Sequence, residues 1–466
     1  MRIERSIVMD YDLVIENGKV IDPKSNRCVV CNMGIKDGKI TALTREKLSS
    51  EIVINATGKV VCPGFIDIHA HVEGKKACGK LLAAMGVTTV YNGNCGMGVE
   101  DLEGFMNKYE AEGFIINQIE QVGHTTLREA IGLRNRYTPA SPIEILDMER
   151  LLEDEFKIGA YGLSFGLEYV PGASKEEILA LGRVAAKYDK LISIHTRGDG
   201  YAGLISLKEA IDICRITGAR VQISHLVYQF GMGMIAQAIK LIDEAIEEGL
   251  DISVDSGMYS SFATAIGSAV FDEGCLERWG CDYDSLVAAT GKYRGKRLTK
   301  ELYTELRQQM PEETAIGMVG KESEVFEALK KPYMMVSTDA GTLYDGELPG
   351  HPQDAGTYPR FIRTMVKEQA ALSLNEAIRR CTYLPASKLG LSNKGVINMG
   401  ADADIVIFSP EILKDKADYP GFGEVDARPE GIDYVIVNGK IVVKGKEVLE
   451  EKPGKIIRGT LELFKW

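Results

Sequence analysis

A (β/α)8 barrel with a small β-sandwich domain, and an insertion before the last barrel strand, is the fold class that the sequence predicts. Three observations lead to it. Eight short apolar runs alternate with helical segments through the middle of the chain, hairpin signals cluster at both ends, and about 75 residues beyond an ordinary connection precede the eighth run. The 466 residues suffice for such an assembly, and a composition of 45% hydrophobic and 26% charged residues excludes disordered and low-complexity classes.

The patterned stretch begins at Met9, which reads as an alternative start after a loose extension. Beyond it, Asn17-Gly18 and Asp37-Gly38 separate short alternating apolar runs, as hairpin turns do. The same grammar returns in Asp404-Ile405-Val406-Ile407 and around Asn438-Gly439. Each piece is small for a core of its own, so residues 1–62 and 391–466 are expected to pack together as one β-sandwich beside a barrel at 63–390. Barrel strands are expected at 65–69, 87–92, 115–122, 160–164, 191–195, 220–225, 251–255 and 333–339. The clearest helix is expected over 233–248, where Ile235, Ile239, Ile242 and Ile246 mark one face. The insertion at about 260–332 has helical patterns of its own and reads as a cap over the active site.

Charge narrows the function. Asp and Glu number 67 against 55 Lys and Arg, and the net charge of -12 repels phosphate backbones, so no nucleic-acid partner is expected. No apolar run approaches the roughly 18 to 20 residues of a membrane span, so no membrane partner and a cytoplasmic location are expected. Nine cysteines, an odd and scattered number, do not make a disulfide framework, and the Cys28-x-x-Cys31 pair sits in a strand-like flank without a second pair to complete a metal site. The large acidic surface is compatible with a closed homo-oligomer.

Only six histidines occur, and two form the pair His69-x-His71 at the end of the first barrel strand. Residues two apart on a strand point to the same side, so both imidazoles can reach one metal from the barrel mouth. His195, His225 and Asp339 end the fifth, sixth and eighth expected strands, and strand ends converge on one rim of a barrel. Four imidazoles and a carboxylate are the borderline-soft donors that zinc takes, with room for a water. Cys95, after the second strand, is read as a further ligand or a bridge between two metals. As an inert packed thiol or an acyl nucleophile it fits less well, because the metal already supplies a hydroxide. In the hydrolytic mechanism that follows, Asp339 is the general acid and base.

The His69-x-His71 strand end with His195, His225 and Asp339 resembles the amidohydrolase superfamily. Within it the chain is similar to the N-acyl-D-amino-acid deacylases, or D-aminoacylases. The carrying strings are Gly93-Asn94-Cys95-Gly96, Gly123-His124-Thr125-Thr126, Gly162 to Tyr169, His195-Thr196-Arg197, Ser224-His225-Leu226, His351-Pro352 and Gly400-Ala401-Asp402-Ala403-Asp404. The resemblance implies deacylation of an N-acyl-D-amino acid or a related N-acyl amine, a small-molecule amide substrate, and one or two zinc ions per subunit. Cys95, His195 and His225 would hold the tighter ion, with His69, His71 and Asp339 at a second site. The fourth strand lacks the lysine that many superfamily members carbamylate, in keeping with a Cys95 type of site. Where similar sequences carry a lysine beyond the His225 position and an arginine after His-Pro, this chain has Val227 and Gln353, which argues against acidic acyl-amino acids. Arg197, Tyr259, Ser260 and Gln353 are the candidate substrate-binding residues, while His124 and His351 are left between substrate contact and packing. A cyclic-amide hydrolase of the dihydroorotase or hydantoinase kind is the alternative, and a catalytically silent binding protein a distant third.

Overall fold

The computed structural model describes residues 10–341, 343–344 and 348–460, so Met9 and the extension before it lie outside the described residues. Eight parallel strands run in chain order: Phe65–Asp67, Val87–Asn92, Asn117–Glu120 continued by Val122–Gly123, Gly162–Gly166, Leu191–His195, Arg220–Ile223, Ile252–Ser256 and Met334–Val336. Each pairs with the next. The eighth returns to the first through a parallel bridge between Ala70 and Ala340, where the Asp339 N–H donates to the His69 carbonyl at 2.8 Å and the His71 N–H to the Ala340 carbonyl at 2.6 Å. The barrel is therefore closed at the level of its candidate metal residues. Helices cover the outside and the strands are buried on both faces, which is why they read as near-continuous apolar runs.

Three strands stop earlier than expected. Their regular ladders end at Asp67, Ile223 and Val336, so His69, His225 and Asp339 stand in the turns just beyond, where single backbone bonds continue the pairing. At the last two the cause is backbone conformation: His225 has φ 32° and Asp339 φ 57°, which no extended strand accommodates.

The outer helices begin where their caps stop the preceding chain. Ser141 and Ser174 each form a capping box, with Glu144 and Glu177, at the starts of Pro142–Ile158 and Lys175–Lys187. The helix expected over 233–248 is found as Ile235–Glu247, with Ile235, Ile239 and Ile242 buried.

The chain ends build one mixed sheet of nine strands. Val60–Pro63 lies between Leu13–Asp22 from the first end and Ile405–Phe408 from the second. Alternation along these strands divides the burial. Val61, Ile405 and Ile407 enter a small core with Leu13, Ile15 and Met33, whereas Val60, Cys62, Val406 and Phe408 join the main core of the barrel. The nine cysteines are free thiols, and no helix of the described residues is long and apolar enough to cross a membrane.

The segment between the seventh and eighth strands differs from its expected helical pattern. It contains a three-stranded antiparallel sheet of Phe262–Ala265, Thr314–Gly317 and Leu286–Ala288 together with helices Cys275–Trp279, Lys300–Gln309 and Glu322–Leu329. Its strands are three or four residues long and rich in Ala and Thr, too short to show a period of two.

Candidate metal centre

Six side chains from the turns and strand ends at the barrel mouth bring their donor atoms together. They sort into two overlapping sets, His69, His71, Cys95 and Asp339 in one and Cys95, His195 and His225 in the other, each with its donors within 4.8 Å of one another. Cys95 belongs to both. Its sulfur lies 3.4 Å from His69 Nε2 and 3.4 Å from His225 Nε2. His195 Nδ1 is 3.0 Å from His225 Nε2, and Asp339 Oδ1 is 3.3 Å from the Nε2 atoms of both His69 and His71. Donors bound tetrahedrally to zinc at about 2.0 Å (N, O) or 2.3 Å (S) stand roughly 3.3 to 3.6 Å apart. The observed separations are close to the edges of such tetrahedra, and thiolate, imidazole and carboxylate are zinc's donors, so the residues present fit the ion.

Local backbone aims these groups. Cys95, His225 and Asp339 all have positive φ, a conformation side-chain-bearing residues adopt only when the surroundings enforce it. The Cys95 turn presses on the fourth strand so closely that a Cβ on Gly166 would meet the Cys95 carbonyl at 1.9 Å, which makes glycine obligatory there. Asp255, at the end of the seventh strand, fixes the turn at His225. It accepts the His225 N–H at 3.0 Å and the Ser337 hydroxyl at 2.6 Å, and its Oδ1 also lies 3.6 Å from His69 Nδ1. Glu168 Oε2 sits 3.0 Å from His195 Nε2, which leaves His195 Nδ1 to face Cys95 and His225.

The cluster is electrostatically interlocked. Burial raises the Cys95 thiol, but His69 and His225 outweigh it and hold the group well below its usual 9.0. Burial opposes charge on His195, yet Cys95 and Glu168 lift it to about 10. His71 is similarly raised to about 9 against burial, chiefly by Asp339, and Asp339 is held well below 3.8 by His69 and His71 in spite of burial. Burial and the nearby Asp199 carboxylate raise Glu168 to about 7, with His195 working the other way. Such anionic sulfur and carboxylate donors between imidazoles favour a cation.

The candidate substrate residues are placed less uniformly. Arg197 is occupied: Nε and Nη2 hold Glu209 and Nη1 donates to the Pro171 carbonyl, so its guanidinium is a structural ion pair rather than a free anion receptor. Tyr259 is buried in a ring cluster with His351 and under Arg360, and it does not line the cavity beside the metal residues. Ser260 does not line it either; its carbonyl receives the Gly320 N–H, and the neighbouring Ser261 hydroxyl makes the contact to His351 at 2.9 Å. Gln353 is fully buried and works through Asp339, donating from Nε2 to the Asp339 carbonyl at 2.6 Å while accepting the Tyr228 hydroxyl at 2.9 Å. His124 is packed, bonded at 2.7 Å to the Glu177 that also takes Arg128. Burial lowers His351 to about 3, and its neutral Nδ1 accepts the Gln353 N–H.

Sequence reasoning missed Glu168, Asp255, Tyr228 and Asp199. Asp255 carried a usable signal, since it ends a barrel strand as a carboxylate. Glu168 stood within a family-like string without a role.

The model of the amidohydrolase family matches residues 60–442. An N-acyl-D-glutamate deacylase of Alcaligenes xylosoxydans xylosoxydans is 29% identical, with 96% of each chain covered. Among solved structures, an N-acyl-D-glutamate deacylase of Bordetella bronchiseptica, complexed with zinc and a phosphonate mimic of the tetrahedral intermediate, superposes with a TM-score of 0.83 at 26% identity over 96% of this chain and 99% of that one. A D-aminoacylase described as having a binuclear metal centre gives 0.83 at 25% identity over 96% and 100%.

Proposed function

The chain belongs to the amidohydrolase family, and from that premise we propose that it is a zinc-dependent hydrolase of a linear amide, deacylating an N-acyl-D-amino acid or a related N-acyl amine. The observation that carries this reading is the shared position of Cys95, 3.4 Å from an imidazole of each donor set. The zinc-bound N-acyl-D-glutamate deacylase of similar fold supports the metal and the reaction class. Cys95, His195 and His225 hold the tighter ion in this reading, and His69, His71 and Asp339 form a second site with Cys95. The cyclic-amide alternative has no comparable support, since the fourth strand, Gly162–Gly166, offers no lysine to carbamylate.

Zinc in this site supplies Lewis acidity toward a water and toward the amide carbonyl. The chain's own groups do the rest. Asp339 lines the cavity with 13% of its side chain exposed, takes a proton from the attacking water and delivers it to the departing nitrogen. Gln353 and Tyr228 hold the Asp339 turn in place, and Asp255 and Glu168 orient His225 and His195. Nine free thiols accord with a reducing compartment, and we place the protein in the cytoplasm.

The test is amine release by zinc-reconstituted protein from linear N-acyl amines and N-acyl-amino acids of both configurations, beside hydantoin and dihydropyrimidine rings. Linear amides are expected to be cleaved and rings left intact. Ring opening without linear turnover moves the protein to the cyclic-amide class.

A further inference from the structure

Resting on the deacylase reading, we infer that the amine side of the substrate presents a hydrogen-bond donor, an ammonium or carboxamide group, where an acyl-amino acid would present its free carboxylate. The cavity beside the donor cluster has three charged lining groups besides imidazoles, Glu168, Asp199 and Asp339, and all are carboxylates. Asp339 is assigned to the metal and the proton, so Glu168 and Asp199 are the remaining charged groups of a wall that also includes Tyr169, Tyr228, Gln229 and residues 262–264. No Lys or Arg lines the cavity among the described residues.

Glu168 has spare capacity. Its Oε2 is engaged by His195, while Oε1 is buried and receives no hydrogen bond, with the Arg278 Nη2 standing at 3.5 Å. Arg278 is not a cavity group: Asp199 holds its Nε at 3.0 Å and the Val270 carbonyl takes Nη2 at 3.3 Å. The second Asp199 oxygen accepts the Trp279 indole N–H. Arg197 is spent on Glu209. A carboxylate lodged here would lie against Glu168 and Asp199 without a cation of its own, an arrangement burial penalises strongly. A donor in the same place satisfies the open Glu168 oxygen instead.

The experiment compares three acetyl compounds on the zinc-loaded full chain: N-acetyl-D-alanine, its carboxamide, and N-acetyl-1,4-diaminobutane. We expect kcat/KM for the carboxamide and the diamine to exceed that for the free acid by about tenfold or more. Glu168→Gln should narrow the ratio of diamine to acid by a similar factor. The ratio is read within one preparation, so a change in zinc occupancy cancels. A free acid cleaved as well as its carboxamide overturns the inference and leaves the deacylase reading standing. An unchanged ratio in Glu168→Gln overturns the role of Glu168, and silence on all three compounds with zinc bound overturns both readings.

Discussion

Cys95, His225 and Asp339 turn through left-handed backbone with φ of 55°, 32° and 57°, and this decides which substitutions are informative. Asn tolerates that region as Asp does, so Asp339→Asn removes the charge without disturbing the turn. The variant is expected to fold, to keep the tighter zinc held by Cys95, His195 and His225, and to lose kcat by about 10² to 10⁴; turnover within a few-fold of the parent would remove Asp339 from the proton path. The six donor residues were legible in the sequence because their types are rare and their places at strand ends are periodic. Glu168 was not, because a single carboxylate among 67 acidic residues has no spacing that marks it, whereas Asp255 shared the strand-end signal of Asp339 without being taken up. Ser260, named as a substrate residue, stands outside the cavity beside the metal residues, and one sequence gives no sign of which way its side chain points.

Two elements are joined where the cap meets the barrel. Helix Cys275–Trp279 brings Arg278 and Trp279 onto Asp199, just after the fifth strand, and Arg278 also approaches the Glu168 that orients His195. Loss of this latch loosens a metal-facing imidazole. Arg278→Met should therefore weaken zinc retention against a chelator by about 10- to 100-fold, with partial recovery in Arg278→Lys; unchanged retention would confine the latch to holding the cap. A second element test lies at the start of Lys175–Lys187. Burial raises the Glu177 carboxyl, but His124 and Arg128 prevail and hold it down at about 2. A carboxyl depressed in the folded state contributes stability that is complete above its unfolded value near 4.3 and is lost as pH falls toward 2. Urea midpoints of the parent should fall across that window more steeply than those of Glu177→Gln, and parallel profiles would contradict the assignment. Capping serines and the isoleucine stripe of Ile235–Glu247 could be read from local pattern. The strands of the cap could not, because pairing rather than periodicity makes Phe262–Ala265 a strand.

The whole molecule depends on its two ends meeting. Ile405–Phe408 pairs with Val60–Pro63, and that inner strand buries one face in the small core and the other in the barrel. Ending the chain at residue 390 strips a partner from a fully buried strand, so the truncated protein should be recovered as insoluble or partly unfolded material by circular dichroism; a cooperative, soluble barrel would show the sheet to be dispensable. The closed barrel in turn brings six donor residues from five strand ends together at one sulfur atom, and the account stands or falls on that sulfur as a metal-bound thiolate. The direct measurement is the near-ultraviolet absorption of the cobalt(II)-substituted protein and of its Cys95→Ser variant. We expect a thiolate-to-cobalt charge-transfer band in the parent that disappears in the variant, along with tight retention of the first ion. A spectrum without that band, or one that survives loss of Cys95, would contradict a centre built around Cys95.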